Sequence, residues 1–561
     1  MTHARRFILI DPCLERIGSH PFHYAAEVLA AAAAEGFACG LATHRGFLAE
    51  NAYPPEWNIF TSFEQTGYSK YTSFGELDRL DVRGNRRLRV VPPWAFWHAA
   101  RRRVQRINAF ARDAATLIQQ LAPGDIVLAA TATELDAVGL ARGIARVRPP
   151  LGIGWHIQFH YPLYRGFLAD YPRQDRRLVR VRRLLQEAVA TAAPHAFHFY
   201  ATTAELASQY ERLGVAPFGV LPYPAQRPAT LPSFDPRGVF DVHKPLRVTV
   251  LGDLRHEKNS HHLDGILAAT ARDPILADRI TFAIQANATP LPACTRAANV
   301  ELIRGPLDAD AYARELSAAD VMLLPYDQDR YRARCSGMLL EALAAGVVPI
   351  VTGGGWMGRQ LAEPLRAHAE AVLARSRQRT LYQMSLNRIE AAQPLSINVQ
   401  PPPDLLVGNT GDSVALAIDI TWQTTGRNSL HEAALRVALE VGSTAPATVM
   451  AADPDGRPAT VLCPIEPPHC MAANGGVRLT CAPVCGAATA LPRAIQIRCI
   501  RCSGPLPVGA VGVVIDSPAD VVGALREVSR HAKHYRSTAI AHATCVLKAS
   551  SAAEVVRSLL G

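Results

Sequence analysis

A run of small, basic and acidic residues in the middle of the chain has the spacing of a phosphate site. Residues 318–361 read AADVMLLPYDQDRYRARCSGMLLEALAAGVVPIVTGGGWMGRQL, so a buried strand ends in a charged loop and a helix follows. Ser336 and Gly337 stand where this helix begins, and a helix N-terminus offers free backbone N–H groups and partial positive charge. Ser336 can cap the helix, and Glu341, one turn further in, is placed to bind a sugar hydroxyl. An ordinary capped helix between two strands would have the same spacing.

A glycine and two basic residues mark a second loop. In RVTVLGDLRHEKN, residues 247–259, a strand runs into Gly252, and Arg255 and Lys258 follow on the loop. A fork-shaped guanidinium and a compact ammonium both suit phosphate oxygens. The loop therefore predicts an anion site, and solvated loop charges are the alternative interpretation.

The two segments resemble the donor site of retaining GT-B glycosyltransferases of family-4 type. In that family a small-residue loop precedes a helix that reads like EALAAGVP, and a strand follows. The segments RCSGMLLEALAAGVVPIV and LGDLRHEKN match this pattern in order and in separation. The resemblance implies that backbone groups at Ser336 and Gly337 approach the donor diphosphate, and that Glu341 hydrogen-bonds the nucleotide ribose.

The chain departs from the family pattern before the helix. The family often has a second glutamate eight positions before the ribose glutamate, where this chain has Ala333. Some members instead carry an arrangement that Tyr331, Arg334, Ser336 and Gly337 resemble, which adds Arg334 to the expected donor-binding residues.

A second departure lies in the glycine loop. The family places an arginine close after the strand glycine, and here Asp253 follows Gly252. Arg255 can replace that arginine, and Lys258 aligns with the family's lysine. The resemblance implies that these two side chains neutralise the departing diphosphate.

Two histidines and one turn complete the candidate site in the first part of the chain. The segment IGWHIQFHYPLYRG contains His156 and His160, where the family has a histidine near the transferred sugar. We favour His156 because it follows the predicted strand most directly, and a structural histidine is the alternative. Gly18 and Ser19 follow the first predicted strand on a loop that the family uses near donor and acceptor, and a simple turn is the alternative there.

The elements that must position these residues alternate between strand and helix. The alternation covers residues 1–225 and then 226–393, and it indicates two parallel sheets that bind ligands at the carboxyl ends of their strands. Residues 394–507 instead show short runs, partly β-branched, between turn residues, which predicts a β-sandwich of six or seven strands. The first pattern resumes over 508–561. The expected fold is therefore α/β, with two Rossmann-like domains (GT-B) and a β-sandwich inserted in the second.

Metal binding is considered for two groups of residues, and no metal site is expected. Asp327-Gln328-Asp329 is similar to the D-x-D motif of the other glycosyltransferase fold, but that motif belongs to a single-sheet domain. Six cysteines in the insert include C-x3-C and C-x2-C spacings that zinc sites use, yet buried cysteines in strands are the favoured interpretation. These are Cys463, Cys470, Cys481, Cys485, Cys499 and Cys502. No cofactor is expected, since a nucleotide sugar would be a co-substrate.

Composition favours a cytoplasmic protein with an anionic ligand or surface as partner. The net charge is +10 over 561 residues, and such a surplus suits anionic partners. We find no signal-peptide pattern and no run of about 20 apolar residues. Eleven cysteines, an odd count in a long chain, do not indicate a secreted disulfide scaffold.

A segment of the first domain also has the composition of a membrane contact. Residues 92–113 read PPWAFWHAARRRVQRINAFARD, and aromatic residues beside arginines are typical of a membrane interface. The residues concerned are Trp94, Phe96, Trp97, Arg101, Arg102, Arg103 and Arg106. Core tryptophans with a solvated arginine face are the alternative, and no recognised nucleic-acid-binding module accompanies the basic residues.

The sequence thus predicts a glycosyltransferase of hexosyltransferase type. It would move a sugar from a nucleotide-sugar donor to a glycan or lipid-linked acceptor, with the retained configuration that the resemblance implies. Two alternatives stay open: a glycan-binding protein whose insert binds and whose donor site is vestigial, and a nucleotide-sugar epimerase.

Overall fold

The structure is a computed structural model of the chain. It describes residues 5–15, 20–47, 54–66, 72, 93–166, 170–225, 244–252, 254–286, 299–305, 307–385, 395–407, 411–424, 434–439, 448–451, 457–465, 477–483 and 490–560. These residues form two parallel sheets with helices and two antiparallel sheets.

The first unit is a seven-stranded parallel sheet with helices on both faces. Its strands are β1 (Arg6–Asp11), β2 (Ala38–His44), β3 (Asn58–Phe63), β4 (Ile126–Ala132), β5 (Gly154–Phe159), β6 (Phe197–Ala201) and β7 (Phe218–Val220). Its helices are α1 (His20–Ala34), α2 (Pro93–Ile118), α3 (Glu134–Val147), α4 (Tyr171–Ala192) and α5 (Ala204–Glu211). Every residue of β4 is buried, because a strand that is covered on both faces needs apolar side chains at successive positions.

The second unit is a six-stranded parallel sheet. Its strands are β8 (Leu246–Val250), β9 (Ile280–Ala286), β10 (Val300–Arg304), β11 (Val321–Leu324), β12 (Val348–Thr352) and β21 (Val513–Ile515). Its helices are α6 (Leu263–Arg272), α7 (Ala309–Ser317), α8 (Gln328–Tyr331), α9 (Gly337–Ala344), α10 (Trp356–Arg359), α11 (Ala362–Arg375), α13 (Val521–Arg530), α14 (Ala532–Ala549) and α15 (Ala552–Leu560).

Both parallel sheets share one strand order. It runs β3-β2-β1-β4-β5-β6-β7 in the first and β10-β9-β8-β11-β12-β21 in the second. The order reverses between β1 and β4, and again between β8 and β11. The loops that leave those strands diverge and open a crevice, which is where Rossmann-like domains bind ligands. In the second sheet these loops are 251–259 and 325–336, the two segments that carry the predicted phosphate-site residues.

The third unit interrupts the second sheet between β12 and β21. It has two four-stranded antiparallel sheets, ordered β13-β20-β15-β18 and β14-β19-β16-β17. Its elements are β13 (Arg377–Ser385), β14 (Leu395–Val399), α12 (Pro403–Leu406), β15 (Asp412–Thr424), β16 (Ala434–Leu439), β17 (Thr448–Ala451), β18 (Ala459–Ile465), β19 (Val477–Pro483) and β20 (Ala490–Ser503). Leu416 and Ile418 of one sheet share an apolar core with Val437 and Leu479 of the other. The unit is therefore the predicted inserted β-sandwich.

The edge strand β13 corrects the start of the sandwich. It pairs with β20, with Arg377 opposite Arg501, so the antiparallel structure begins before the predicted boundary at 394. With β13 and β14 the described part of the sandwich has eight strands, where the sequence predicted six or seven.

The two parallel sheets meet at their carboxyl edges. Thr203, which follows β6, donates a hydrogen bond from Oγ1 to the carbonyl of Ala333, which lies in the loop after β11, at 2.8 Å. The last helix, α15, returns to the first unit, where Val555 and Val556 pack in the same apolar cluster as Val28 of α1. This is the two-Rossmann (GT-B) architecture, in which the segment after β6 of the first sheet contacts the loop after β11 of the second.

Candidate functional site

Two predicted residues, Gly252 and Lys258, come together where the second sheet reverses its order. Gly252 has φ +80°, and a Cβ at that position would lie 2.9 Å from Nζ of Lys258 and 3.3 Å from Sδ of Met338. Lys258 Nζ lies 3.6 Å from the same sulfur. Since Met338 is the second residue of α9, the ammonium lies at the first turn of that helix. The left-handed backbone at 252 favours glycine, and the tip of the lysine side chain lies close to the position that a Cβ would take.

The helix α9 begins as the sequence predicts. Ser336 is its N-cap, and its hydroxyl accepts a hydrogen bond from the N–H of Leu339 at 3.3 Å. The cap satisfies one of the free backbone donors of the first turn, while the earlier N–H groups keep the partial positive charge that favours an anion. Gly337 is the first helical residue. The lysine ammonium and the helix N-terminus can together bind an anion, and we call this arrangement the anion site.

Tyr326 and Gln285 belong to this site, and the sequence analysis missed both. Gln285 accepts the N–H of Gly252 at 2.7 Å through Oε1 and so holds the glycine turn. Tyr326, buried after the end of β11, donates to Sδ of Met338 at 3.5 Å, and Lys258 Nζ lies 5.4 Å from its ring centroid. Burial raises the pKa of Tyr326 well above its ordinary value, so the phenol stays a donor. The position of Tyr326 just after the end of β11 is a signal that could have identified it, whereas Gln285 lies inside β9 and has no such signal.

Two predicted arginines, Arg255 and Arg334, interact with Tyr331, which packs beside Tyr326. The guanidinium carbon of Arg334 lies 4.7 Å from the Tyr331 ring centroid, and this ring packs 4.6 Å from that of Tyr326. Arg255 is 55% exposed and pairs with Glu257 at 3.7 Å. Burial raises the pKa of Tyr331, and the charges of Arg334 and Arg255 act against that rise. Arg255, Lys258 and Arg334 therefore surround one pair of tyrosines beside the helix N-terminus.

Glu341 lies one turn into α9, as predicted, but has a partner that the sequence did not reveal. Its Oε2 accepts a hydrogen bond from the hydroxyl of Tyr312 on α7. Glu341 is buried, with 8% of the residue exposed. Burial, and then the charge of Glu341, raise the pKa of Tyr312 far above its ordinary value, so the phenol donates. Tyr312 thus orients the side chain that the resemblance assigns to the ribose.

The sequence predicts that His156 follows its strand, but the structure places it inside β5. It is the third residue of β5, its ring stacks on that of His198 at 5.1 Å, and Nδ1 lies 3.2 Å from the hydroxyl of Tyr200. Burial, and then the charge of His198, lower the pKa of His156 to about 4. His198 and Tyr200 both belong to the neighbouring strand β6, so these contacts give His156 a packing role within the sheet. Its catalytic role stays a prediction.

His160 is the histidine at the end of β5. Its ring meets those of Tyr24 and Tyr223 edge-on, with centroids 5.9 and 6.0 Å away. Burial lowers its pKa to about 4, the backbone hydrogen bond to Ala130 acts in the opposite direction, and the charge of Arg334 lowers it further. Within the part of the chain that the structure describes, its buried Nε2 has no hydrogen-bond partner. A neutral imidazole from the first unit therefore lies within electrostatic reach of Arg334 in the second.

The turn after β1 is only partly described. Gly18 and Ser19 lie outside the described residues, so their assignment stays a prediction. Asp11, the last residue of β1, is fully buried; it accepts hydrogen bonds from Thr131 and from the N–H of Cys13, each at 2.9 Å. Burial raises the pKa of Asp11 to about 6 despite these bonds. This carboxyl ties β1 to β4 at the switch point of the first sheet, which sequence patterns did not show.

The Asp327-Gln328-Asp329 segment, which is similar to a metal-binding D-x-D motif, makes hydrogen bonds within the protein. Asp327 caps α8 by accepting the N–H of Asp329 at 3.0 Å, and Gln328 donates to the carbonyl of Asp516 at 2.7 Å. Burial, and then the charge of Asp327, raise the pKa of Asp329. Among the described residues no group of three or more His, Cys, Asp or Glu side chains could hold a metal ion.

Four of the six cysteines of the sandwich are described, and all four lie in strands. Cys463, Cys481 and Cys499 belong to the core between the two sheets, and Cys502 packs against α11 on the other face. Burial raises the pKa of Cys463 and of Cys481 to about 12. These thiols act as small apolar residues, whereas Cys470 and Cys485 lie outside the described residues.

The aromatic and basic segment lies on α2. Trp97 is 80% exposed, and Arg101 and Arg102 are exposed with it. Arg106 is instead buried at 4% exposure and pairs with Asp136 at 2.8 Å, so the expectation that it joins a basic surface is wrong. The side chains of Trp94 and Phe96 are outside the described residues. None of the described helices is both long and apolar enough to span a bilayer.

No protein-family model matches the chain, and no curated protein matches it by sequence. Among solved structures, the chain is similar to an alpha,alpha-trehalose-phosphate synthase (UDP-forming) from Burkholderia vietnamiensis, with 13% identity over 64% of this chain and 86% of the other and a TM-score of 0.42. It is also similar to the trehalose-6-phosphate synthase OtsA, at 12% identity over 64% and 86% with a TM-score of 0.42. A third similar structure is CalG4, the calicheamicin glycosyltransferase, at 15% identity over 62% and 80% with a TM-score of 0.35.

Proposed function

We propose that the protein is a glycosyltransferase of hexosyltransferase type that uses a nucleotide-sugar donor. The observation that carries this proposal is the anion site at the switch point, where Lys258 lies against Gly252 at the first turn of α9. A diphosphate there would meet an ammonium, a helix N-terminus and the guanidinium of Arg334. Glu341 lies one turn further along the same helix, where the resemblance places the nucleotide ribose.

The proposed chemistry places the leaving group on this site. The bond between the sugar's anomeric carbon and the diphosphate oxygen breaks, and its electron pair stays on the diphosphate. The acceptor hydroxyl forms the new bond to the same carbon, and its proton passes to the departing diphosphate. Lys258 and Arg255 stabilise the charge that develops there, which is usually the largest electrostatic contribution to catalysis. Attack on the face that the diphosphate leaves gives retention, as the resemblance implies.

His160 is the best-placed group of the first domain for the transferred sugar. Its neutral imidazole, with pKa lowered to about 4 by burial, is a weak base at neutral pH but a good hydrogen-bond acceptor. We assign it to orientation of a sugar or acceptor hydroxyl. The assignment moves this role from His156, which stacks within the sheet.

We propose that no metal or other cofactor takes part, and that the nucleotide sugar is a co-substrate. Basic side chains and the α9 dipole supply the positive charge that a metal ion would otherwise bring to a diphosphate. This proposal predicts that chelators leave activity unchanged.

The acceptor is proposed to be a glycan or lipid-linked glycan at the cytoplasmic face of a membrane. The exposed Trp97 lies one turn before Arg101 on α2, and on an α-helix such residues share a face. Val104 on the same face is 51% exposed. An aromatic side chain beside arginines suits the interface of an anionic membrane.

Donor binding and turnover test the proposal. Thermal shift with UDP, GDP, ADP and dTDP identifies the nucleotide, because a ligand that binds only the folded state raises the melting temperature. Incubation with the matching nucleotide sugars, without acceptor, should then release free sugar slowly, and Lys258→Gln should abolish the release. A glycan-binding protein with a vestigial site would release none, and an epimerase would change the sugar while leaving it on the nucleotide.

A further inference from the structure

The loop between β11 and α9 contacts the first domain through Ala333. This residue is 2% exposed and packs in an apolar cluster whose other buried members, among the described residues, all lie between Ile8 and Phe218. A residue of the second domain therefore packs into the core of the first. The glutamate that the family often has at this position would carry a charge into that core, and burying an unpaired charge is costly.

Two hydrogen bonds from the first domain hold the same loop. The N–H of Gly166 donates to the carbonyl of Asp329 at 3.1 Å. Thr203, which follows β6 and is 1% exposed, donates from Oγ1 to the carbonyl of Ala333 at 2.8 Å. The same Oγ1 accepts the N–H of Leu206 at 3.0 Å and so caps α5. The cap holds the hydroxyl oxygen in place opposite the carbonyl of the other domain.

The bond from Thr203 fixes the peptide group that leads into Arg334. The carbonyl of Ala333 and the N–H of Arg334 belong to one planar peptide group. That N–H donates to the carbonyl of Tyr331 at 3.2 Å, so the first domain holds the peptide on one side and its own loop holds it on the other. Because the plane cannot turn without breaking one of these bonds, the direction in which the Arg334 side chain leaves the backbone is set.

Arg334 connects this peptide to the anion site. Its guanidinium carbon lies 4.7 Å from the ring centroid of Tyr331, and that ring packs 4.6 Å from the ring of Tyr326. Tyr326 in turn donates to Sδ of Met338 in the first turn of α9. Movement of the peptide before Arg334 would therefore move the guanidinium relative to the helix N-terminus.

We propose that Thr203 and Ala333 form an interdomain anchor that positions Arg334 for a diphosphate bound at the N-terminus of α9. The inference rests on the proposed donor site, and it adds that the affinity of this site depends on a residue of the other domain. Thr203 is a positioning residue, because it acts through the Arg334 peptide and does not touch the ligand. An arginine that is already held in place loses less entropy when the diphosphate binds.

Titration calorimetry of the full chain with inorganic pyrophosphate tests the anchor. Thr203→Val removes the hydroxyl that donates to Ala333 and changes the side-chain volume little. It should weaken pyrophosphate binding roughly three- to tenfold, which corresponds to about one net hydrogen bond. Thr203→Ser keeps the hydroxyl and should bind pyrophosphate within about twofold of wild type.

Thr133→Val is the matched control. Thr133 is 3% exposed and caps α3, and its hydroxyl bonds to Asp136 of that same helix. Both valine variants lose a helix cap, so both should lower the melting temperature, whereas only Thr203→Val should lose affinity for pyrophosphate. An equal loss of affinity in the two variants, or an affinity within about twofold of wild type in Thr203→Val, would overturn the anchor.

A double-mutant cycle with Arg334→Gln shows whether Thr203 acts through the arginine. Once Arg334→Gln has removed the guanidinium, Thr203→Val should have little further effect on pyrophosphate affinity, because the two changes remove one shared interaction. A merely structural role of Thr203 would give additive losses instead. Thr203→Val that weakens binding as much in the Arg334→Gln background as in wild type would therefore contradict the positioning role.

Lys258→Gln separates failure of the anchor from failure of the donor site. If this variant binds pyrophosphate as wild type does, the anion site is wrong, and the proposed function and the anchor fail together. If Lys258→Gln weakens binding and Thr203→Val does not, the anion site stands and only the anchor is wrong. Weakening in both variants, with the control unchanged, supports both assignments.

Discussion

Removal of one charge at the anion site gives the sharpest test of the donor-site assignment. Lys258 Nζ lies against Gly252 and Met338 at the first turn of α9, so a diphosphate bound to that turn would lie within a few ångströms of the ammonium. Two unit charges about 4 Å apart attract by about 4 kcal/mol at an effective dielectric constant of ~20. Desolvation offsets part of this, and hydrogen bonds to charged groups contribute about 1.5–3 kcal/mol net. Lys258→Gln should therefore weaken nucleoside-diphosphate binding by about 10- to 150-fold.

The assay is isothermal titration of the nucleoside diphosphate that gives the largest thermal shift. Lys244→Gln is the matched control, because Lys244 is exposed in the same domain and its loss changes the net charge equally. The wild-type affinity should fall as salt rises, because screening weakens exposed charge interactions, and the Lys258→Gln affinity should fall less. An affinity within twofold of wild type in Lys258→Gln, or an equal loss in Lys244→Gln, would refute this placement of the diphosphate.

Four further predictions follow from the same structure. Glu341→Gln should weaken donor binding less than Glu341→Ala in nucleotide titrations, because the amide oxygen can still accept the Tyr312 hydroxyl, and equal affinities in both variants and wild type would contradict the ribose assignment. A short Gly/Ser linker in place of 377–501 should leave nucleotide affinity within about twofold, because those two ends are paired neighbours; a folded variant that binds no nucleotide would place the sandwich in the donor site. The free energy of unfolding should fall as the pH drops from about 6.5 to 4. Over this range the His160 side chain takes up a proton in the unfolded chain but stays neutral in the folded protein, where its pKa is about 4. His160→Gln should therefore flatten the pH dependence of the melting temperature, because it removes one such group. Vesicles with anionic lipid should sediment the wild type at low salt and sediment much less of a Trp97→Ala variant, whereas equal sedimentation of wild type with neutral vesicles would count against membrane contact.

Local patterns in the sequence determined most of the parallel sheets. Apolar runs such as VMLLPY and VVPIVT predicted strands that the structure places at 321–324 and 348–352, because a strand that helices cover on both faces is apolar at every position. Ser336 was also predicted correctly as a helix cap. A cap depends on the side chain and the backbone within three residues, so neighbouring sequence is enough to identify it.

Elements whose stability comes from distant partners were harder to predict. The strand Arg377–Ser385 is mostly exposed and shows no apolar alternation, so only its pairing with β20 reveals where the sandwich begins. Arg106 looked like a surface charge, yet it is buried because Asp136 on the next helix neutralises it. Neither partner is close in sequence, and a pattern of 10 to 20 residues cannot contain such contacts.

The composition of the site was decided by the tertiary structure in the same way. The sequence identified Gly252, Lys258 and Ser336 as separate loop residues, and the switch point between β8 and β11 brought them to one edge. It placed His156 at the end of its strand, where the structure has His160, because the end of a strand is set by hydrogen bonds to its neighbours. Chain neighbours determine helices and strands, whereas side chains meet in a site only after the sheets have packed.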